Sequence, residues 1–286
     1  GTLTPGGNNI TIGSTGSIII NGSATLGSFP FPAGTQSFAN FTLNNPSGIT
    51  FSNDVTITGV LTLTDGSLIF NDRTLRLNGT LSVGSGGDLS SNSSSTLIIG
   101  GTGALGSSLN FSGSGNTLGT LTMTRASTGS AEINSTVTIS SNLNLSNGEL
   151  INTNGLTMAN GATLTRSGGT LTNDRPDVPS GAYNVVYNPG ISINTGLELP
   201  GPADLTQLNN LTISGPTVLT QNLTVNGNVT LSSSTFTCGA NTITMRGSTW
   251  TRSGGSFIPG TGQVTFDGVS SIVASSGTPQ FGNFRV

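Results

Sequence analysis

Apolar residues in this chain alternate with polar ones in short pairs, and the pairs return every six or seven residues. Val55-Thr-Ile57 is followed by Leu61-Thr-Leu63, then by pairs at 68/70, 75/77 and 81/83. Alternation with period two puts one side chain in a core and the next in water, which is a half-buried strand. The short step leaves each strand about three to five residues before a turn. The same spelling returns far along the chain in Leu223-Thr-Val225, Val229-Thr-Leu231 and Ile243-Thr-Met245. Turns such as Thr64-Asp-Gly-Ser67 and Asn147-Gly148 carry the residues that tolerate tight backbone. No stretch has helical spacing, so the chain is all-β.

Two all-β folds compete for such a pattern. An immunoglobulin-like sandwich places its turns every 8–12 residues. A solenoid with short faces accommodates the six- or seven-residue step, three steps closing a turn of roughly 20 residues. The expected fold is therefore a right-handed parallel β-solenoid, or β-helix, with three short faces per turn. At about 4.8 Å per turn the 286 residues would make roughly 14 turns and a rod near 65–70 Å long. Each turn supplies too few aliphatic residues for a core of its own, so the turns must stack on one another.

Composition supports this and excludes much chemistry. Gly (43), Thr (45), Ser (39) and Asn (30) together make 157 of the 286 residues, and 7% are charged. Gly and Asn suit corners that need positive φ, and outward Thr favours extended backbone while keeping the surface wet. There is no His and no Lys. That removes imidazole bases, Schiff-base lysines and lysine isopeptide crosslinks. The single cysteine, Cys238, excludes an internal disulfide framework and thiolate metal clusters. Eight scattered arginines against a net charge of −3 make no nucleic-acid footprint, and no apolar run is long enough to span a membrane.

The chain also repeats itself. One marker occurs as Phe38-Ala-Asn-Phe41, Leu118-Gly-Thr-Leu121, Leu208-Asn-Asn-Leu211 and Phe281-Gly-Asn-Phe284, at spacings of 80, 90 and 73 residues. A second links Thr163-Leu-Thr-Arg-Ser-Gly-Gly-Thr-Leu171 to Thr249-Trp-Thr-Arg-Ser-Gly-Gly-Ser-Phe257, with Thr80 to Leu89 a looser copy. Gly1-Thr-Leu-Thr-Pro-Gly6 aligns with Gly255-Ser-Phe-Ile-Pro-Gly260, and Ile10-Thr-Ile12 with Val264-Thr-Phe266. The expectation is one continuous solenoid over 1–286, a window cut from a longer array. Its units are a partial one at 1–37, then 38–117, 118–207 with a loop insertion near 173–203, 208–280, and the start of another at 281–286. The stretch from Asn173 to Ser180, with Tyr183 to Tyr187 and Leu199-Pro-Gly-Pro202, departs from the repeat and is expected to bulge as a loop.

The phrasing Asn210-Leu-Thr-Ile213, Asn222-Leu-Thr-Val-Asn-Gly-Asn-Val-Thr-Leu231 and Pro259-Gly-Thr-Gly-Gln-Val-Thr-Phe-Asp-Gly268 resembles β-strand repeats of very large secreted or surface bacterial proteins. These are similar to the β-helices of filamentous haemagglutinins and autotransporter passengers. The resemblance implies an extracellular adhesin, stalk or fibre whose partners are further copies of itself, through ends or faces, and cell-surface glycans.

Against that stands the use of β-helices as polysaccharide-degrading enzymes or glycan binders, which rely on clustered carboxylates. The tightest acidic group is Asp174-Arg175-Pro176-Asp177, expected to be a polar loop. Gly86-Gly-Asp88 is a faint calcium motif without the iterated Asp. Arg166 and Arg252, in the recurring motif, are expected to be solvated corner residues rather than binders of an anionic glycan. Cys238 and Trp250 are expected in the core. Thr-X-Thr at 56–58, 62–64, 122–124, 242–244 and 249–251 raises ice binding, but Arg76, Asn144 and Arg246 interrupt the outward positions. The expectation is a non-enzymatic rigid stalk or fibre with no catalytic, cofactor or metal residues.

Overall fold

The computed structural model describes residues 13–29, 31–126, 128–153, 155–268, 271–274 and 281–286. The expected pairing of Ile10-Thr-Ile12 and the opening Gly1 to Gly6 lie outside them. Within them the chain winds as a parallel β-solenoid of about 12 turns, each of roughly 21 residues.

One face carries the coil throughout. Its inward residues step from Val55 to Leu75, Leu97, Leu121, Leu143, Leu164, Val185, Leu211, Val229 and Trp250, with the exposed Ile272 next in register, each paired in parallel with the next. With Gln36–Phe38 below Val55–Ile57 it has twelve rungs. At about 4.8 Å between strands they span about 50–55 Å, less than the whole-chain expectation because this ladder takes in residues 36–274 only. This is face C. Face A precedes the first corner: Ile18, Phe41, Leu61 and Leu81 stack there, then Leu150 on Ala131 and Leu171 on Leu150. Face B lies between, with Ile49 and Leu68, and later Leu223, Ile243 and Val264.

Alternation does what the sequence predicts. Val55–Ile57, Leu223–Val225 and Val229–Leu231 are each buried, half-buried, buried. The inward residues form one continuous column from Ile18 to Phe266. Phenylalanines thicken it near one end, Phe31, Phe38, Phe41 and Phe51 lying within 5.0–6.5 Å of one another in successive contacts.

Corners account for the Asn and Gly. Asn side chains take the backbone N–H of the next turn: Asn40 Oδ1 from Val60, Asn210 Oδ1 from Asn228 and Asn222 Oδ1 from Thr242, at 2.8–2.9 Å. This satisfies amides that no straight strand pairs. At Gly79 the turns touch: a Cβ there would lie 1.7 Å from the Gly59 carbonyl oxygen.

The repeated marker falls on different corners. Phe38 lies on face C and Phe41 on face A, whereas Leu118 pairs on face B and Leu121 on face C. Phe284 stacks on Val264, on face B. The looser copy shifts likewise, with Leu81 on face A and Leu164 on face C. A spacing near 80 is not a whole number of 21-residue turns, so the marker labels a type of corner, not one face.

The 173–203 stretch is woven in more deeply than a bulging loop. Tyr183–Tyr187 is a rung of face C, between Thr163–Arg166 and Leu208–Ile213. Glu198, Leu199 and Pro200 are buried, while Asp174, Asp177 and Ile191 stay exposed.

Candidate functional site

Face A is interrupted where this stretch enters. Thr170–Asn173 continues the sheet of Ser130–Ile133 and Glu149–Asn152, while Ile193–Asn194 begins a new one with Thr217–Val218. Among the described residues no strand pairing joins the two. Between them opens a cavity of about 600 Å³, lined by Arg166, Arg175, Asn194, Thr195, Thr220 and Gln221, with Leu171 and Leu197 supplying apolar wall.

Its floor is a buried polar network where other turns have aliphatic packing. Arg166 sits at an inward position, in register with Leu145 below and Tyr187 above. Its Nε donates to the Gly169 carbonyl at 2.7 Å, and its Nη1 to the Asn194 carbonyl at 2.8 Å and to Glu198 Oε1 at 2.7 Å. Glu198 is fully buried, and the same Oε1 accepts from the Tyr187 hydroxyl and the Gly196 N–H, both at 2.7 Å. The Tyr183 hydroxyl donates to the Glu198 carbonyl at 2.9 Å. Burial first, and the Glu198 charge second, push both tyrosine hydroxyls well above their ordinary range, so both remain donors. Such a network is tolerated in a core because its charges are paired and bonded. Within this network Glu198 Oε2 is buried with no hydrogen-bond partner among the described residues, as Asp88 Oδ1 is elsewhere, and it lies 2.9 Å from where a Cβ on Gly196 would stand.

Arg175 forms the opposite wall. Its Nε donates to the Leu199 carbonyl at 3.1 Å and its Nη2 to Gln221 Oε1 at 3.0 Å. Gln221 is anchored in turn on the Pro200 carbonyl at 2.6 Å. The ion pairs among the described residues are Arg166–Glu198 and Arg246–Asp267, so Arg175 is held by neutral acceptors. Of the group Asp174-Arg175-Pro176-Asp177, the arginine lines the cavity and the two aspartates do not.

The expectation of a solvated corner arginine is corrected here for Arg166, while Arg252 is half-buried. Arg166 is buried, and both recurrent arginines fold back on their own turn, Arg252 Nε donating to the Gly255 carbonyl at 2.9 Å as Arg166 does to Gly169. The Arg-Ser-Gly-Gly motif is a corner closed by its own guanidinium. Cys238 and Trp250 are buried as expected. Desolvation raises the Cys238 thiol to about 11, which makes it a poor nucleophile. Asp88 is half-buried in register with Ser67, and among the described residues no group of three His, Cys, Asp or Glu could hold a metal ion.

Sequence reasoning missed Arg125. It is fully buried with no carboxylate, its guanidinium bonded to the carbonyls of Gly79, Gly100, Thr102, Gly103 and Ala104. The signal was present, since Leu121, Met123 and Arg125 continue one inward phase.

Fold and cleft together define a parallel β-solenoid in which face C runs on while the strand ladders of faces A and B both break along the 173–203 stretch. Set against known protein families, curated proteins and solved structures, the chain matches none. Among the described residues no helix is long and apolar enough to cross a membrane.

Proposed function

We propose that this chain is a non-enzymatic structural and adhesive region of an extracellular surface protein, acting as a rigid stalk or fibre. The observation that carries the reading is the unbroken twelve-rung ladder of face C over one hydrophobic column. Every turn is braced by the turns beside it, so bending requires opening many contacts at once. The resemblance of its repeats to surface adhesins supplies the location. Beads coated with the chain should adhere to glycan-bearing cells while uncoated beads do not, and small-angle scattering should give an elongated particle. Absence of adherence, or a spherical particle, would overturn the reading.

Self-association belongs to the same proposal. Val273, in register with the outward Thr251 of face C, is an exposed apolar side chain that a second copy would cover. Sedimentation velocity from micromolar to millimolar concentration should show reversible growth; a monomer throughout would remove it.

A further inference from the structure

We infer that the cleft between Arg166 and Arg175 binds an acidic sugar residue, with the sugar's carboxylate on the Arg175 guanidinium. The inference deepens the adhesive half of the reading above and rests on it.

Charge makes the first argument. Arg166 is neutralised at 2.7 Å by Glu198. Arg175 has no carboxylate within ion-pair distance among the described residues, and no acid lines the cavity. Arg175 is therefore the arginine of the cleft without a direct ion partner, although the Asp204 carboxylate stands nearby, its Oδ2 and the Arg175 Nε lying 2.7 and 3.9 Å from the point where a Cβ on Gly201 would stand. That guanidinium is fixed by Leu199 and Gln221 through Nε and one Nη2 hydrogen. The edge formed by Nη1 and the other Nη2 hydrogen stays available, and two parallel N–H groups match a planar carboxylate.

Shape and lining make the second. A volume of about 600 Å³ falls in the range of small-molecule sites, enough for one or two sugar rings. Thr170 and Asn194 line it with side chains that have no hydrogen-bond partner among the described residues, ready for hydroxyls, while Leu171 and Leu197 offer apolar surface to a ring face. The walls are already ordered. Gln221 reaches from two turns on to fix Arg175, and the Thr195 and Thr220 hydroxyls lie 2.9 Å apart. An ordered site loses little entropy when a ligand enters.

The test is calorimetric titration with trigalacturonate, trimannuronate and a hyaluronan tetrasaccharide, with maltotriose as the neutral counterpart. At least one acidic oligosaccharide should bind and weaken as salt is raised, while maltotriose does not. Arg175→Gln should weaken binding about tenfold or more. Asn194→Asp, an exposed side chain whose change leaves the buried network intact, should do the same by repulsion. Maltotriose binding as well as the acids, no acidic oligosaccharide binding at millimolar concentration, or full binding by both variants would each overturn the inference. Variants that lose oligosaccharide binding yet leave bead adherence unchanged would place adhesion elsewhere and overturn the cleft's part in it, whereas wild-type beads that never adhere would fail the adhesive reading itself.

Discussion

Replacing Arg125 by methionine removes five N–H donors while keeping most of the side-chain length. Four of the five contacts are short, to Gly103 at 2.8 Å, Gly79 at 3.0 Å, and Gly100 and Thr102 at 2.6 Å. A buried acceptor left without a donor costs about 1–3 kcal/mol. The variant recovers the several kcal/mol spent on desolvating the guanidinium, which burial already shows by lowering its pKa. The net expectation is a local loss of about 3 kcal/mol. Because each turn contacts its neighbours alone, the loss should stay local. Native-state hydrogen exchange reads it directly: the amides of Leu105, Ala126 and Ser130, bonded to Ser130, Gly101 and Gly103, should exchange about a hundredfold faster. Amides at Leu211 and Ser232 should not change. Unchanged protection around Arg125, or a uniform loss along the whole coil, would refute the reasoning.

Other perturbations probe the remaining elements. Glu198→Ala leaves Arg166 charged and buried and should cost about 3–5 kcal/mol in urea titration; adding Arg166→Met should restore part of it, and no restoration would mean the pair is not coupled. Gly79→Ala drives a methyl into the Gly59 carbonyl and should cost about 1–3 kcal/mol or prevent folding, whereas an unchanged melting temperature would show that the turns are not in contact there. Trp250 packs edge-on against Phe257 and Phe281 at 5.1 and 5.3 Å, so Trp250→Ala should cost about 3–5 kcal/mol, and the native protein's emission should be blue-shifted; emission typical of water would contradict its burial. The fold holds Cys238 and both tyrosines protonated, with the thiol raised from 9.0 to about 11. Unfolding lets these groups release protons, so the Cys238 contribution is intact below about pH 9 and lost as pH climbs through 11, while that of the tyrosines is lost only at still higher pH; stability that rises from pH 9 to 11 would show the sign to be wrong.

Much of the fold was legible because inward and outward residues alternate with the strand's own period. Val55, Ile57, Leu223 and Val225 needed no partner to be assigned to a core. The site was legible less well. Asp174-Arg175-Pro176-Asp177 drew notice as a run of charges, yet the cleft takes one of the four, because neighbouring side chains of a loop leave in different directions. Arg166 looked like a corner residue because its glycines follow it, and chain-local reasoning does not weigh a carboxylate 32 positions away.

Composition and spacing by themselves determined that this chain makes short strands, turns often and buries aliphatics on one side. Those are local properties, set by backbone conformation and by which side chain meets water. The tertiary structure decided which corner each marker occupies, where face A breaks, and that Arg166, Glu198 and Tyr187 meet inside it. The coil's period of roughly 21 residues is a sum over turns of unequal length, and insertions in one turn shift everything after it. Charges brought together by that stacking compensate one another only once the turns are in place.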